Sequence, residues 1–134
     1  MYLKDHTVLV TGASRGIGKA IAKNLLEKGA QVIGTATDIS RFEHDKTIKW
    51  LEVDFSNPKS LDSFIDSLGE IGKIDGCVNN AGINIIKPIN EVSLGDYEEL
   101  MSVNLKAPYF IIKKIAGRLL QGGKIVNIAS IWSK

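Results

Sequence analysis

Three observations in the 134-residue sequence predict an α/β fold built on a doubly wound parallel sheet. Short β-rich apolar runs alternate with stretches of helical period, and Gly, Asn, Asp or Pro marks each change. The first run, Thr7-Val8-Leu9-Val10-Thr11, is apolar without period two, as expected of a parallel strand covered on both faces. A glycine-rich stretch from Thr11 to Gly18 joins that run to the first helical segment. Right-handed βαβ crossovers then place five strands in the order 3-2-1-4-5, the Rossmann-type arrangement, whose ligands bind beyond the carboxyl ends of the strands.

Strand one is therefore central. After it, Ile17, Ala20, Ile21 and Leu25 recur at helical spacing, with Lys19 and Lys23 turned away and Gly29 where a helix C-cap belongs; this predicts a helix packed on the sheet. Strand two is Gln31 to Ala36, and Gly34 inside it marks a close approach. Asp38 to Lys46 leaves room for little more than one helical turn before strand three, about Ile48 to Phe55. Asn57 is placed to cap a second amphipathic helix carrying Leu61, Phe64, Ile65 and Leu68, with Pro58 in the first turn, where its missing N–H costs nothing. Strand four is Ile74 to Asn79. Ser93 and Asp96 have capping-box spacing and open a long helix to about Leu120, whose apolar residues include Leu100, Val103, Leu105, Ile111, Ile112, Ile115 and Leu119. Pro108 has no N–H for the Asn104 carbonyl, so a kink with that carbonyl released is expected there. Strand five is Lys124 to Ala129. Trp50 is expected to pack beneath a helix, Cys77 to lie in the core, and His6, His44 and the Lys113-Lys114 pair to be on the surface.

The length allows one domain and excludes a separate substrate domain. Seventeen Lys plus Arg against fifteen Asp plus Glu leave a charge of +2 without a basic cluster, which argues against a nucleic-acid partner. The single cysteine excludes an internal disulfide and a multi-Cys metal site, and no apolar run has the length of a membrane span. These features predict a cytoplasmic chain with no metal and no membrane partner.

The strongest local signal is Thr11-Gly12-Ala13-Ser14-Arg15-Gly16-Ile17-Gly18 between strand and helix. Gly12 allows a sharp turn, Gly16 a close approach of backbone to pyrophosphate, and Gly18 closure of the helix on the strand, while the helix N-terminus offers free N–H groups to phosphate. The loop lacks the Lys-Ser/Thr ending of an NTPase loop, so a dinucleotide is the expected ligand. An NAD site usually ends its second strand with Asp or Glu, but here Thr35, Ala36 and Thr37 occupy that place. Arg15 and the Thr37 hydroxyl can hold a 2′-phosphate instead, which favours NADP(H) over NAD(H). Asp38, if turned inward, would repel that phosphate and restore a preference for NAD.

Five motifs in register resemble the short-chain dehydrogenase/reductases: the glycine loop, Asp54 after strand three, Asn79-Asn80-Ala81-Gly82 after strand four, Val103-Asn104-Leu105 in the long helix, and Gly123 to Ser130. The stretch Gly34-Thr35-Ala36-Thr37 is similar to bacterial 3-oxoacyl-carrier-protein reductases, which use NADPH. The resemblance implies an oxidoreductase interconverting a carbonyl and a secondary alcohol, with Gly12, Ser14, Arg15, Gly16, Ile17, Gly18 and Thr37 on the cofactor. It implies that Asp54 meets the adenine amino group and that Asn80, Ala81 and Gly82 line the cofactor. For Asp54 a turn or cap role is the alternative, and for Asn79 and Asn80 a mainly scaffolding role is expected. Ser130 matches the catalytic serine that hydrogen-bonds the substrate carbonyl as charge develops on its oxygen. Asn104 matches the asparagine supporting a proton relay, against the alternative of a simple helix bend.

The family's general acid is a tyrosine followed four residues on by a lysine, both beyond the serine, and all three tyrosines here precede Ser130. The sequence is thus expected to be the front portion of a longer single-domain reductase, cut short after strand five, inactive alone, and forming a homodimer or homotetramer when complete. Its partners would be small-molecule carbonyls or alcohols. The rival reading is a non-catalytic nucleotide-binding or interaction protein that retains only the cofactor half.

Overall fold

The apolar runs form β1 (Thr7–Val10), β2 (Gln31–Ala36), β3 (Ile48–Glu52), β4 (Gly76–Asn79) and β5 (Lys124–Asn127). In the computed structural model, which describes residues 2–119 and 122–130, they make one parallel sheet in the order β3-β2-β1-β4-β5. Val8 pairs with Val32 and Gly76, and Leu9 with Ile33 and Cys77, so β1 is hydrogen-bonded on both sides. Because successive side chains alternate between faces, Val8, Val10, Val32 and Val78 join one buried cluster and Leu9, Ile33 and Cys77 the other. Both faces need cover, which is why the strand shows no polar alternation.

Helix α1 (Gly16–Glu27) covers the first face, and α2 (Pro58–Glu70) with α4 (Ala107–Ile115) covers the second, through Leu61, Phe64, Leu68, Ile111 and Ile115. Asn57 caps α2 by accepting from the N–H groups of Lys59 and Ser60, and Pro58 is its first residue. Gly29, at φ +92°, follows the last turn of α1 as expected of a helix terminator. Arg118 closes the other end of α2, donating to the carbonyls of Leu68 and Ile71. Ser93 and Asp96 form a reciprocal capping box at the start of α3 (Leu94–Met101). The Lys87 ammonium, 2.7 Å from Asp96 Oδ2, is the main reason that carboxyl is held down to about 2.

Three expectations are corrected. Ile17 is 64% exposed and Ala20 is exposed too, because the buried face of α1 is the thin one of Gly18 and Ala22. Leu105 is 57% exposed and does not join the core. The single long helix is interrupted: residues Ser102–Lys106 form a π turn, in which the Ala107 N–H reaches back five residues to the Ser102 carbonyl. The disturbance expected at Pro108 therefore takes the form of an extra residue in the turn, a device common at functional sites. The helix runs into a 3₁₀ turn at Ala116–Arg118, and its expected end at Leu120 lies outside the described residues. As expected, Trp50 packs on the face that α1 covers, against the cluster that includes Ala22, and it also stacks on the 3₁₀ turn Ser40–Phe42, with its ring 4.1 Å from that of Phe42.

Cys77 is 1% exposed in the sheet core, and burial pushes its thiol up to about 12. Only the thiolate is nucleophilic, so the native protein is expected to leave a disulfide reagent such as DTNB unreacted at pH 8, and to release one equivalent of chromophore once unfolded. Rapid reaction of the folded protein would contradict the packing of β4.

Candidate functional site

The chain leaves β1 at Thr11 and turns sharply at Gly12, whose φ of +64° suits only glycine at low cost. Two neighbouring strands clamp the turn. From β2, Thr35 Oγ1 accepts from the Gly12 N–H at 3.0 Å and the Thr35 carbonyl accepts from Ala13 N–H at 3.0 Å. From the exit of β4, Asn80 Nδ2 donates to the carbonyls of Thr11 and Gly12, each at 3.1 Å. Thr11, buried at 2% exposure, returns the contact: its Oγ1 accepts from the N–H groups of Asn80 at 3.0 Å and Ala81 at 2.9 Å.

Under this clamp, a Cβ on Gly18 would collide with the Gly12 carbonyl oxygen and with Asn80 Nδ2. The third glycine thus seats α1 against the loop and Asn80, not only against the strand. Gly16, at φ +55°, has nothing within 4 Å of where a Cβ would be, so it faces open space. The result is a helix N-terminus whose first N–H groups are held at the rim of a cleft.

That cleft, of about 790 Å³, lies at the carboxyl ends of the strands. It is lined by Gly12, Ser14, Arg15, Gly16, Ile17, Thr37, Asp54, Asn80, Ala81 and Gly82, ten of the thirteen residues singled out from sequence. Gly18 lies beneath the loop, and Asn104 and Ser130 are outside the lining. The exposure of Ile17 now has a reason: the rotation that buries Gly18 turns it into the cleft.

Charge within the cleft bears on which dinucleotide fits. Asp38 is not in the lining; its Oδ1 accepts from the Ser40 N–H at 2.9 Å, and hydrogen bonding from the Ser40 side chain, with its backbone, lowers its pKa. Arg41, which sequence reasoning passed over, lines the cleft together with Arg15 and Thr37. Asp54 is half committed to a turn: Oδ1 accepts from Ser56 N–H and Oγ at 2.9 and 2.6 Å, and Oδ2 makes no hydrogen bond among the described residues. Both sequence readings of Asp54, turn residue and cleft acceptor, are compatible with that geometry. A cradle of glycines, two guanidiniums and a hydroxyl beside β2, and no carboxylate at the end of that strand together fit a phosphorylated dinucleotide.

Asn104 sits in the π turn and binds one residue twice: Oδ1 accepts from the Ile83 N–H at 2.9 Å and Nδ2 donates to the Ile83 carbonyl at 2.8 Å. It therefore fixes the segment that follows Gly82 at the cleft wall. Asn79 Nδ2 donates to Asn127 Oδ1 at 2.9 Å and the Ile128 N–H donates to the Asn79 carbonyl, tying the ends of β4 and β5 together as expected. Ser130 follows as an exposed residue past the end of β5, and Trp132, expected near the substrate side, lies outside the described residues. The Tyr-x-x-x-Lys spacing does occur once, at Tyr109 and Lys113, but on α4: Tyr109 is 61% exposed and packs on Phe110, over whose ring the Lys113 ammonium lies, and neither lines the cleft.

Comparison with known proteins agrees with this geometry. A family model described as short chain dehydrogenase matches residues 6–134. Galactitol 2-dehydrogenase of Agrobacterium fabrum is 34% identical over 97% of this chain and 54% of its own length. The 3-oxoacyl-[acyl-carrier-protein] reductase of Vibrio cholerae is 36% identical over 98% of this chain and 57% of its own. The chain thus spans about half the length of the curated relatives it matches. The crystal structure of a metagenomic short-chain oxidoreductase in complex with NADP superposes with a TM-score of 0.87 at 32% identity, covering 100% of this chain and 65% of the other.

Proposed function

This chain belongs to the short-chain dehydrogenase family, and from that premise we propose that it is the cofactor-binding portion of an NADP(H)-dependent oxidoreductase interconverting a carbonyl and a secondary alcohol. The observation that carries the cofactor assignment is the set of groups beside β2, where Arg15, Thr37 and Arg41 line the cleft while Asp38 is held in its own turn with Ser40. A 2′-phosphate is recognised well by guanidinium forks, whereas the 2′-hydroxyl of NAD(H) would meet no carboxylate there. The metagenomic oxidoreductase of similar fold holds NADP.

When bound, the nicotinamide nucleotide supplies or accepts the hydride. The protein's part is to position and to stabilise charge. The N–H groups of the glycine loop and of the first turn of α1 would hold the diphosphate, and Asp54, whose Oδ2 makes no hydrogen bond among the described residues, would accept from the adenine amino group. Ala81 and Gly82 wall the cleft, Asn80 holds the loop, and Asn104 keeps the wall in place by its paired bonds to Ile83. Ser130 donates a hydrogen bond to the substrate oxygen as it becomes anionic, an interaction stronger in the transition state than in the ground state. The protein works as a cytoplasmic homo-oligomer in this reading. β5 is paired only with β4 among the described residues and leaves Val126 48% exposed, a surface suited to further cover.

Calorimetric titration tests the cofactor assignment directly. NADPH is expected to bind at least about tenfold more tightly than NADH, the worth of one charge-assisted hydrogen bond. Equal affinities would remove the NADP preference, and no heat from either nucleotide at millimolar concentration would remove the function.

A further inference from the structure

We propose that Trp50, on the edge strand and outside the cofactor cleft, is a positioning residue for nucleotide selectivity, holding Arg41 at the cleft rim through a stack on Phe42. The inference rests on the function proposed above, in which Arg41 meets the 2′-phosphate.

Arg41 stands on a 3₁₀ turn of only three residues, Ser40–Phe42, too short to hold a shape of its own. An arginine on a loose turn would lose rotamer and backbone freedom on meeting a phosphate, and that loss would offset much of the contact. Here the turn is braced beforehand. The Ile39 N–H donates to Glu52 Oε2 at 3.2 Å, from the end of β3. The Phe42 ring lies on the Trp50 indole at 4.1 Å between centroids and 16° between planes, and the Arg41 guanidinium carbon is 5.6 Å from the Phe42 centroid.

The indole is in turn fixed at both ends. Its Nε1 donates to Asp45 Oδ2 at 3.1 Å, and Asp45 Oδ1 is held by the N–H and hydroxyl of Thr47 at 2.8 and 2.6 Å. Its backbone is in register with Gly34 of β2, where a Cβ would stand 3.1 Å from Trp50 Cζ3. The close approach signalled by a glycine inside that strand is thus made by the indole together with Ile48 Cγ2 and Ala13 Cβ, 3.0 and 3.1 Å from the same point. A guanidinium, a phenyl ring and an indole form a chain of contacts from the cleft to the sheet. The indole does not line the cofactor cleft itself, so its effect on binding passes through Arg41.

The test compares Trp50→Leu, Trp50→Phe, Phe42→Leu and Arg41→Leu with the wild-type protein by calorimetric titration of NADPH and NADH, with thermal melting to show that each variant is folded. Trp50→Leu and Phe42→Leu are expected to weaken NADPH by about tenfold, approaching Arg41→Leu, while NADH changes less than about twofold. Trp50→Phe, which keeps a ring to stack on, should restore most of the NADPH affinity. A purely structural role would weaken both nucleotides together, and that result, or an unchanged NADPH preference in folded Trp50→Leu and Phe42→Leu, overturns the inference while leaving the proposed function standing. Failure of the wild-type protein to bind either nucleotide overturns both.

Discussion

Gly18→Ala is expected to reduce NADPH affinity by about 10²-fold or more and to destabilise the fold, although it adds one methyl group. The new Cβ has to occupy space held by the Gly12 carbonyl oxygen, which is backbone, and by Asn80 Nδ2, which is held by its bonds to the Thr11 and Gly12 carbonyls. Overpacking of this kind costs about 1–3 kcal/mol, and the strain is relieved only by lifting α1 off the loop. Lifting the helix moves its first N–H groups away from the diphosphate, and each charge-assisted hydrogen bond lost there is worth about 1.5–3 kcal/mol, so one or two account for the loss of affinity. Gly16→Ala separates sterics from backbone conformation: its Cβ meets nothing within 4 Å, and the residue carries only the penalty of its φ of +55°, about 1–2 kcal/mol. Gly72→Ala, with open space and no positive φ, should be neutral. Calorimetric titration and thermal melting of the three variants would show the order Gly18, Gly16, Gly72; a Gly18→Ala protein that binds NADPH normally would mean that the helix does not seat against the loop as described.

The sheet was legible because a parallel strand covered on both faces is mainly apolar, and β1, β2 and β4 each carry an apolar stretch without alternation, their buried polar residues Thr35 and Asn79 being hydrogen-bonded. Periodicity served less well for α1. It marks which residues share a face, but it ranks them by hydrophobicity, and the contact with the loop and Asn80 demanded thinness, so Gly18 and Ala22 are buried and Ile17 is not. Arg41 was invisible for a different reason. Nothing in a short polar segment says which way it folds; the Phe42–Trp50 stack and the Ile39–Glu52 bond, which brace the turn whose Arg41 lines the cleft, join that segment to β3. Pro108 announced a disturbed helix, yet a missing N–H is satisfied equally by a kink or by an inserted residue, and the π turn at Ser102–Lys106 is the second solution. Thr11 and Thr35 suit strand ends by shape; their hydroxyls have a second use that appears only when β1, β2 and β4 are side by side.

Thr11 shows how much that second use is worth. Thr11→Val keeps the shape of the side chain and replaces one oxygen by a methyl group, so any loss comes from hydrogen bonding rather than packing. At 2% exposure no water replaces the lost acceptor, and the N–H groups of Asn80 and Ala81 are left facing carbon. An unsatisfied buried donor costs about 1–3 kcal/mol, so two of them together cost about 2–6 kcal/mol, a large share of the 5–15 kcal/mol that holds an ordinary domain. The protein relieves that cost by letting the β4 exit move off the loop, which loosens Asn80 from the Thr11 and Gly12 carbonyls. Chemical denaturation should therefore show a fall in midpoint for Thr11→Val, with near-wild-type behaviour for Thr11→Ser, which retains the hydroxyl and gives up only a methyl group. NADPH affinity should follow stability in this pair, because the same two bonds that hold the strands together fix the walls of the cleft. A Thr11→Val protein as stable as the wild type would show that the β4 exit is held by other means, and the coupling between sheet and site would then run through the Asn80 side-chain amide and through Thr35 and Gly12.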